Sequence, residues 1–241
     1  MKRNAASGLF YEAVMKEEKV LFGRDNIRLE GLFADAGGTA GAVISHPHSL
    51  MGGDMGNSVV ETLAETLFAA GFSTLRFNFR GVGGSTGAFD DGRGEQDDVL
   101  EAVSFLEERG FRAILPAGYS FGAWVNAGTL RRRDLLPAIF VSPPIDLFGF
   151  DVHALRGRVG LIVCGDRDPY CPAVKIKSVA AELACRLDII PSADHFFWSQ
   201  EKELAASVGD FAARLTSQTS HCDGKVTEDR CPAAGPDERE R

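Results

Sequence analysis

Gly118-Tyr119-Ser120-Phe121-Gly122 lies between an apolar run, Ala113-Ile114-Leu115, and a segment of helical character, Ala123-Trp124-Val125-Asn126-Ala127. The first reads as a buried strand and the second as a helix start, so the pentapeptide is a sharp strand-to-helix turn. Glycines two before and two after the serine let the chain reverse without a Cβ clash. Such a turn holds a serine in a strained backbone conformation with its hydroxyl pushed out. It also aims the first N–H groups of the following helix at whatever the serine attacks. An ordinary Gly-rich turn can carry the same spelling; the flanking strand and helix favour a nucleophile elbow with Ser120 as the attacking group.

Outward from the elbow, β-like and helical runs alternate, which predicts a mostly parallel sheet with helices on both faces. Toward the N-terminus, residues 112–117 and 73–79 read as strands, with a Gly-rich loop and a helix over about 95–109 between them. Ala42-Val43-Ile44-Ser45 is a further strand, followed by His46-Pro47-His48 and a helix over roughly 56–70. Val20-Leu21-Phe22 and residues 27–33 suit an antiparallel edge hairpin turning at Arg24-Asp25-Asn26. Toward the C-terminus, the elbow helix reaches about 131, and strands are expected at 138–141, 159–164 and 187–191. Helices are expected at 172–185 and 200–216. One position breaks the pattern: Pro116 stands inside the most central strand, where proline removes a ladder donor.

The 241 residues suit one enzyme domain with a substantial core, read as residues 1–217. Residues 218–241 carry charges of both signs and few large apolar side chains, so they read as a disordered polar tail. A net charge of −8 offers no basic footprint for nucleic acid or an anionic membrane. No window has the apolar length of a membrane span, and the N-terminus, Met1-Lys2-Arg3-Asn4, lacks the apolar h-region of a secretory signal. Five cysteines at scattered spacings argue against a disulfide framework and for a reducing, cytoplasmic setting.

A serine hydroxyl needs a base within hydrogen-bond reach and a group to orient that base. Of the five histidines, His195 follows a strand-like run, Leu187-Asp188-Ile189-Ile190, and can reach a site at the strand ends. His221 lies in the polar tail, and His153 reads as a surface residue. The orienting carboxylate is expected on a loop after a strand. Gly165-Asp166-Arg167-Asp168 supplies two candidates, Asp166 and Asp168, and Asp146 after Val141-Ser142-Pro143 is a third.

Four separated segments together resemble the α/β-hydrolase superfamily: His46-Pro47-His48, Asn78-Phe79-Arg80-Gly81-Val82-Gly83-Gly84-Ser85, the serine elbow, and the Asp168/His195 pair. The chain order Ser, Asp, His is also that of the superfamily. Within it, the chain looks most like small, lid-poor bacterial hydrolases of the dienelactone-hydrolase or serine-esterase kind. The resemblance implies an α/β-hydrolase fold with a central sheet of about eight strands and no large cap. It makes Ser120 the nucleophile, His195 the general base and Asp168 the orienting acid. Asp168 is preferred to Asp166 because the family's acid stands three residues past a strand-end glycine, here Gly165.

The elbow itself offers the Phe121 N–H as one oxyanion donor. The resemblance adds a second from the loop after Ile44-Ser45. Pro47 stands there in place of the family's glycine and has no N–H, so His48 is the expected donor and Ser49 the alternative. His46-x-His48 with Asp54 also has the look of a metal site, but zinc wants a third strong ligand in fixed geometry. Gly81-Val82-Gly83-Gly84-Ser85-Thr86-Gly87 invites a dinucleotide reading. Thr86 occupies the third-glycine position, and no acidic-ended strand follows at the right distance. No cofactor and no metal are expected.

The expected chemistry is therefore hydrolysis of a small-molecule carboxylic ester or thioester through an acyl-enzyme. The alternatives are a lactone, C–C bond or peptide hydrolase, or a binding protein that keeps the fold without the chemistry. Residues 142–159 are too few for a helical lid, so an open pocket is expected. Tyr119, Trp124, Phe148, Phe150, Tyr170, Phe196 and Phe197 are candidates for its apolar lining.

Overall fold

The strand Ala40–Ser45 is buried along its whole length, and its side chains alternate between two helical layers. Ala42 and Ile44 face one layer and Val43 the other. The same division repeats at Leu115, Ala117 and Tyr119 against Ile114, and at Leu161 and Val163 against Ile162 and Cys164. Continuous apolar runs of this kind are what a sheet covered on both faces requires.

The computed structural model describes residues 15–131 and 134–222. Its strands are β1 (Glu18–Phe22), β2 (Leu29–Ala34), β3 (Ala40–Ser45), β4 (Ser73–Phe77), β5 (Ala113–Tyr119), β6 (Ala138–Val141), β7 (Val159–Gly165) and β8 (Arg186–Ile190). Its helices are α1 (Ser58–Ala69), α2 (Arg93–Glu108), α3 (Phe121–Thr129), α4 (Val152–Leu155), α5 (Ala173–Leu183) and α6 (Glu201–Cys222). The strands form one eight-stranded sheet in the order β1-β2-β4-β3-β5-β6-β7-β8. β2 is antiparallel to both β1 and β4; every other pairing is parallel. Helices α1 and α6 cover one face, and α2, α3 and α5 cover the other.

Strand order reverses around β3, which lies between β4 and β5 although it precedes both. In a parallel sheet such a switch point opens a crevice at the carboxyl ends of the strands, because the loops leave in opposite directions. The loop after β3 carries His46-Pro47-His48, and the turn after β5 carries Ser120. Between β6 and β7 the chain forms only the four-residue α4, so no large cap covers this end.

Several element ends differ from expectation for local reasons. β4 ends at Phe77: the Asn78 N–H still donates to the Glu30 carbonyl of β2 in register, but the Phe79 N–H leaves the ladder for His46 Nε2, both at 3.0 Å. β5 runs through Pro116, which pairs in register with Val43 on β3. Alternation turns the Pro116 nitrogen toward β6, the direction in which the Ser120 N–H reaches the Val141 carbonyl. The β5–β6 register begins only at Ala117, opposite Ile139, so at Pro116 there is no β6 residue to bond. α6 continues to Cys222, past the boundary expected at 217; the rest of the expected tail, 223–241, lies outside the described residues.

Candidate active site

Ser120 joins β5 to α3 with φ 53° and ψ −119°, a conformation that costs free energy for any residue with a Cβ. The surroundings impose it. The Ser120 N–H donates to the Val141 carbonyl at 2.9 Å, and the Ser120 carbonyl already accepts from the Ala123 N–H at 2.9 Å. A Cβ on Gly118 would lie 2.6 Å from the Ala123 nitrogen, and one on Gly122 would overlap the Ser45 carbonyl oxygen. Both glycines of the elbow are thus required by close approach.

Ser120 Oγ lies 2.9 Å from His195 Nε2, and His195 Nδ1 lies 2.9 Å from Asp168 Oδ2. All three side chains are nearly buried. Asp168 Oδ1 also accepts the Tyr170 N–H at 2.8 Å and the Cys171 N–H at 3.1 Å. Burial alone would push the Asp168 carboxyl up, but the hydrogen bonds it accepts, from His195 first and also from the Tyr170 N–H, together with its attraction to the imidazole, hold the carboxyl below its ordinary range. An ionised Asp168 accepts the Nδ1–H, which leaves Nε2 free to accept the Ser120 hydroxyl proton.

The other two carboxylate candidates are engaged elsewhere. Asp166 is exposed and accepts the Ser192 N–H at 2.7 Å, which shapes the turn after β8. Asp146 forms an ion pair with Lys175 at 2.7 Å.

Phe121 and His48, the two expected oxyanion donors, both line the pocket that opens at Ser120. Among the described residues, neither N–H has a hydrogen-bond partner within the protein. The Phe121 N–H is one of the orphan donors that every helix leaves in its first turn.

His46 is buried within the fold. Its Nδ1–H donates to the Pro47 carbonyl at 2.6 Å, and its Nε2 accepts the Phe79 N–H at 3.0 Å. Burial pushes its pKa down to about 4. With both ring nitrogens engaged, His46 is unavailable to share a metal with His48, so it reads as a neutral pin between two loops. His48 packs its ring against Phe89 and Phe121, and burial lowers its pKa as well.

The Gly-rich loop after β4 is fastened to the rest of the sheet. Glu30 Oε1 accepts from Asn78 Nδ2 and from the Gly84 N–H, both at 2.6 Å. Arg80 pairs with the buried Asp98 at 2.7 Å. Asn78 Oδ1 in turn accepts the Met55 N–H at 2.8 Å, which ties this loop to the one carrying His48.

The pocket has a volume of about 480 Å³. Of the expected aromatic lining, Tyr119, Phe148, Tyr170 and Phe196 face it. Trp124 and Phe150 line a separate depression beside α4, and Phe197 is buried in the core. Met51, Leu147 and Asn57 also line the pocket, outside the aromatic set read from the sequence. The sequence holds a usable signal for two of them, since Met51 closely follows His48 and Leu147 adjoins Phe148.

No protein-family model matches the chain. An uncharacterized protein of Rickettsia prowazekii is 33% identical over 227 residues, which cover 88% of this chain and 95% of that protein. Among solved structures, an α/β serine hydrolase homologue from Coxiella burnetii is 33% identical, with a TM-score of 0.75 over 82% of this chain and 98% of its own. The chain belongs to the α/β-hydrolase superfamily. This hydrolase also resembles a Xanthomonas campestris α/β serine hydrolase described as lacking a lid, 26% identical with a TM-score of 0.75 over 83% of this chain and 95% of that one. Among the described residues, no helix of the hydrolase is long and apolar enough to cross a membrane.

Proposed function

We propose that this hydrolase cleaves carboxylic esters or thioesters through an acyl-enzyme on Ser120. The observation that carries the reading is the 2.9 Å approach of His195 Nε2 to Ser120 Oγ, with Asp168 on the opposite ring nitrogen. Ser120 Oγ attacks the substrate carbonyl carbon while its proton passes to His195 Nε2. The carbonyl electrons move onto oxygen, where the Phe121 and His48 N–H groups receive the developing charge. The intermediate collapses by expelling the alcohol or thiol, which takes the proton from His195. Water then attacks the acyl-enzyme, gives its proton to the same Nε2, and the second collapse returns a proton to Ser120 Oγ. Asp168 keeps the imidazole in one tautomer and stabilises its cation throughout. The free thiols Cys164, Cys171 and Cys185 are in keeping with a cytoplasmic setting.

The test is turnover of p-nitrophenyl acetate by wild type and Ser120→Ala, together with labelling by a fluorophosphonate. The variant is expected to lose about 10⁴-fold or more in kcat and to take no label while its thermal unfolding is little changed. Retained turnover in the variant would end the serine mechanism.

A further inference from the structure

The wall beside Ser120 is apolar and uncharged. Met51, Leu147, Phe148 and Phe196 line it, and among the described residues no Asp, Glu, Lys or Arg side chain does. Met51, Leu147 and Phe196 carry this surface to the mouth, where they are 83%, 62% and 52% exposed. Folded proteins seldom hold such side chains together in water unless something apolar covers them in function. Lys175, which meets the loop after β6 through Asp146, is occupied by that ion pair.

The stereochemistry of a tetrahedral intermediate divides this wall. One direction from the reacting carbon belongs to Ser120 Oγ, and the oxyanion points at the Phe121 and His48 N–H groups. The leaving oxygen must face His195 Nε2 to collect its proton. Tyr170 and Phe196 hold their rings against His195, with centroids at 4.8 Å and 5.6 Å, so they flank the leaving group. Phe148 packs on Phe121 instead, at 5.9 Å, and lines the pocket with Leu147 and Met51, which leaves these three for the remaining direction.

We infer, resting on the Ser120 reading above, that the substrate is a neutral carboxylic ester whose extended apolar acyl chain lies along Met51, Leu147 and Phe148. The alcohol lies against Tyr170 and Phe196. Phosphate-bearing thioesters and acyl groups ending in a charge find no counter-ion on this wall, and burying that charge unpaired is costly.

The experiment measures kcat/KM for p-nitrophenyl esters from acetate to octanoate below their micelle-forming concentrations. An octanoyl coenzyme A thioester and a p-nitrophenyl ester with a carboxylate-ended chain are run beside them. Wild type is expected to gain about fourfold per added methylene over the first several, the scale of withdrawing one methylene from water. It should cleave the carboxylate-ended ester at least about tenfold more slowly than its neutral counterpart. Leu147→Ser should reduce the gain per methylene more than Phe196→Ser does. A flat or falling chain-length series, equal rates on charged acyl groups or on the coenzyme A thioester, or the reverse ranking of the two variants would overturn the assignment while ester hydrolysis stood. Absence of both ester turnover and fluorophosphonate labelling would remove the Ser120 reading, and this inference with it.

Discussion

The Tyr119 hydroxyl donates a 2.8 Å hydrogen bond to the carbonyl oxygen of His195. The residue before the elbow serine thus fastens the backbone of the loop that carries the imidazole, across two elements far apart in sequence. Replacing Tyr119 by Phe deletes this buried bond and leaves the His195 carbonyl without its partner. A loss of about 1–2 kcal/mol in unfolding free energy is expected, with kcat reduced more than KM is changed because the imidazole is less well held. Equilibrium urea unfolding and steady-state kinetics on one ester check both parts.

Gly122→Ala tests the close approach of α3 to the loop after β3. The added methyl would overlap the Ser45 carbonyl oxygen, so either the elbow or the His46-Pro47-His48 loop must move. A shift on the order of 1 Å at the donors is expected to lower kcat about 10²-fold, and overpacking to cost about 1–3 kcal/mol. Gly149→Ala is the control, since a Cβ there meets nothing within 4 Å. Its kinetics and melting temperature should match wild type.

Asp168→Asn should lower kcat by about 10⁴-fold, because an amide in that place no longer holds the imidazole tautomer that accepts from Ser120. Asp166→Asn and Asp146→Asn should each stay within about tenfold of wild type, since their carboxylates serve a turn and a surface ion pair. Kinetics on the three purified variants rank them, and a larger loss for Asp166 or Asp146 would reassign the acid.

His46 gives a stability prediction with a definite sign. Its pKa falls from an ordinary 6.5 to about 4 in the folded protein. The unfolded chain therefore takes up a proton below pH 6.5, and the folded chain does not until about pH 4. Stability from this group is full above pH 6.5 and declines as pH falls toward 4. Between pH 7 and 4.5 wild type should lose about 2–3 kcal/mol more than His46→Gln does. Urea unfolding of both proteins at the two pH values measures the difference.

The alternation of apolar strands and helical runs is legible in the sequence because a sheet covered on both faces leaves a strong periodic trace. Strand ends are less so. Nothing in the spelling of Asn78-Phe79 says that the Phe79 N–H leaves the ladder for His46, because that depends on which loop lies alongside. The motifs draw Ser120, Asp168 and His195 together, and the structure brings these side chains within hydrogen-bond reach of one another. The pocket wall is harder to read. Phe197 lies two residues past His195, yet its positive φ of 54° turns it into the core. Phe196, next to it, faces the pocket. Adjacent aromatics on a loop have opposite fates that no period encodes.

The four-residue strand β6 fixes a distance at the carboxyl end of the sheet. Its last residue, Val141, accepts the Ser120 N–H at 2.9 Å, and the next, Ser142, donates to the Val163 carbonyl of β7 at 2.8 Å. The elbow after β5 and the acid-bearing turn after β7 are thereby set two inter-strand spacings apart, about 10 Å. The hydrogen-bonded sheet works as a ruler whose graduations the surface loops cannot alter. Loop segments such as 48–53 and 144–150 can lengthen, shorten or change character, and so change what the mouth admits, without moving the marks at which serine and aspartate stand.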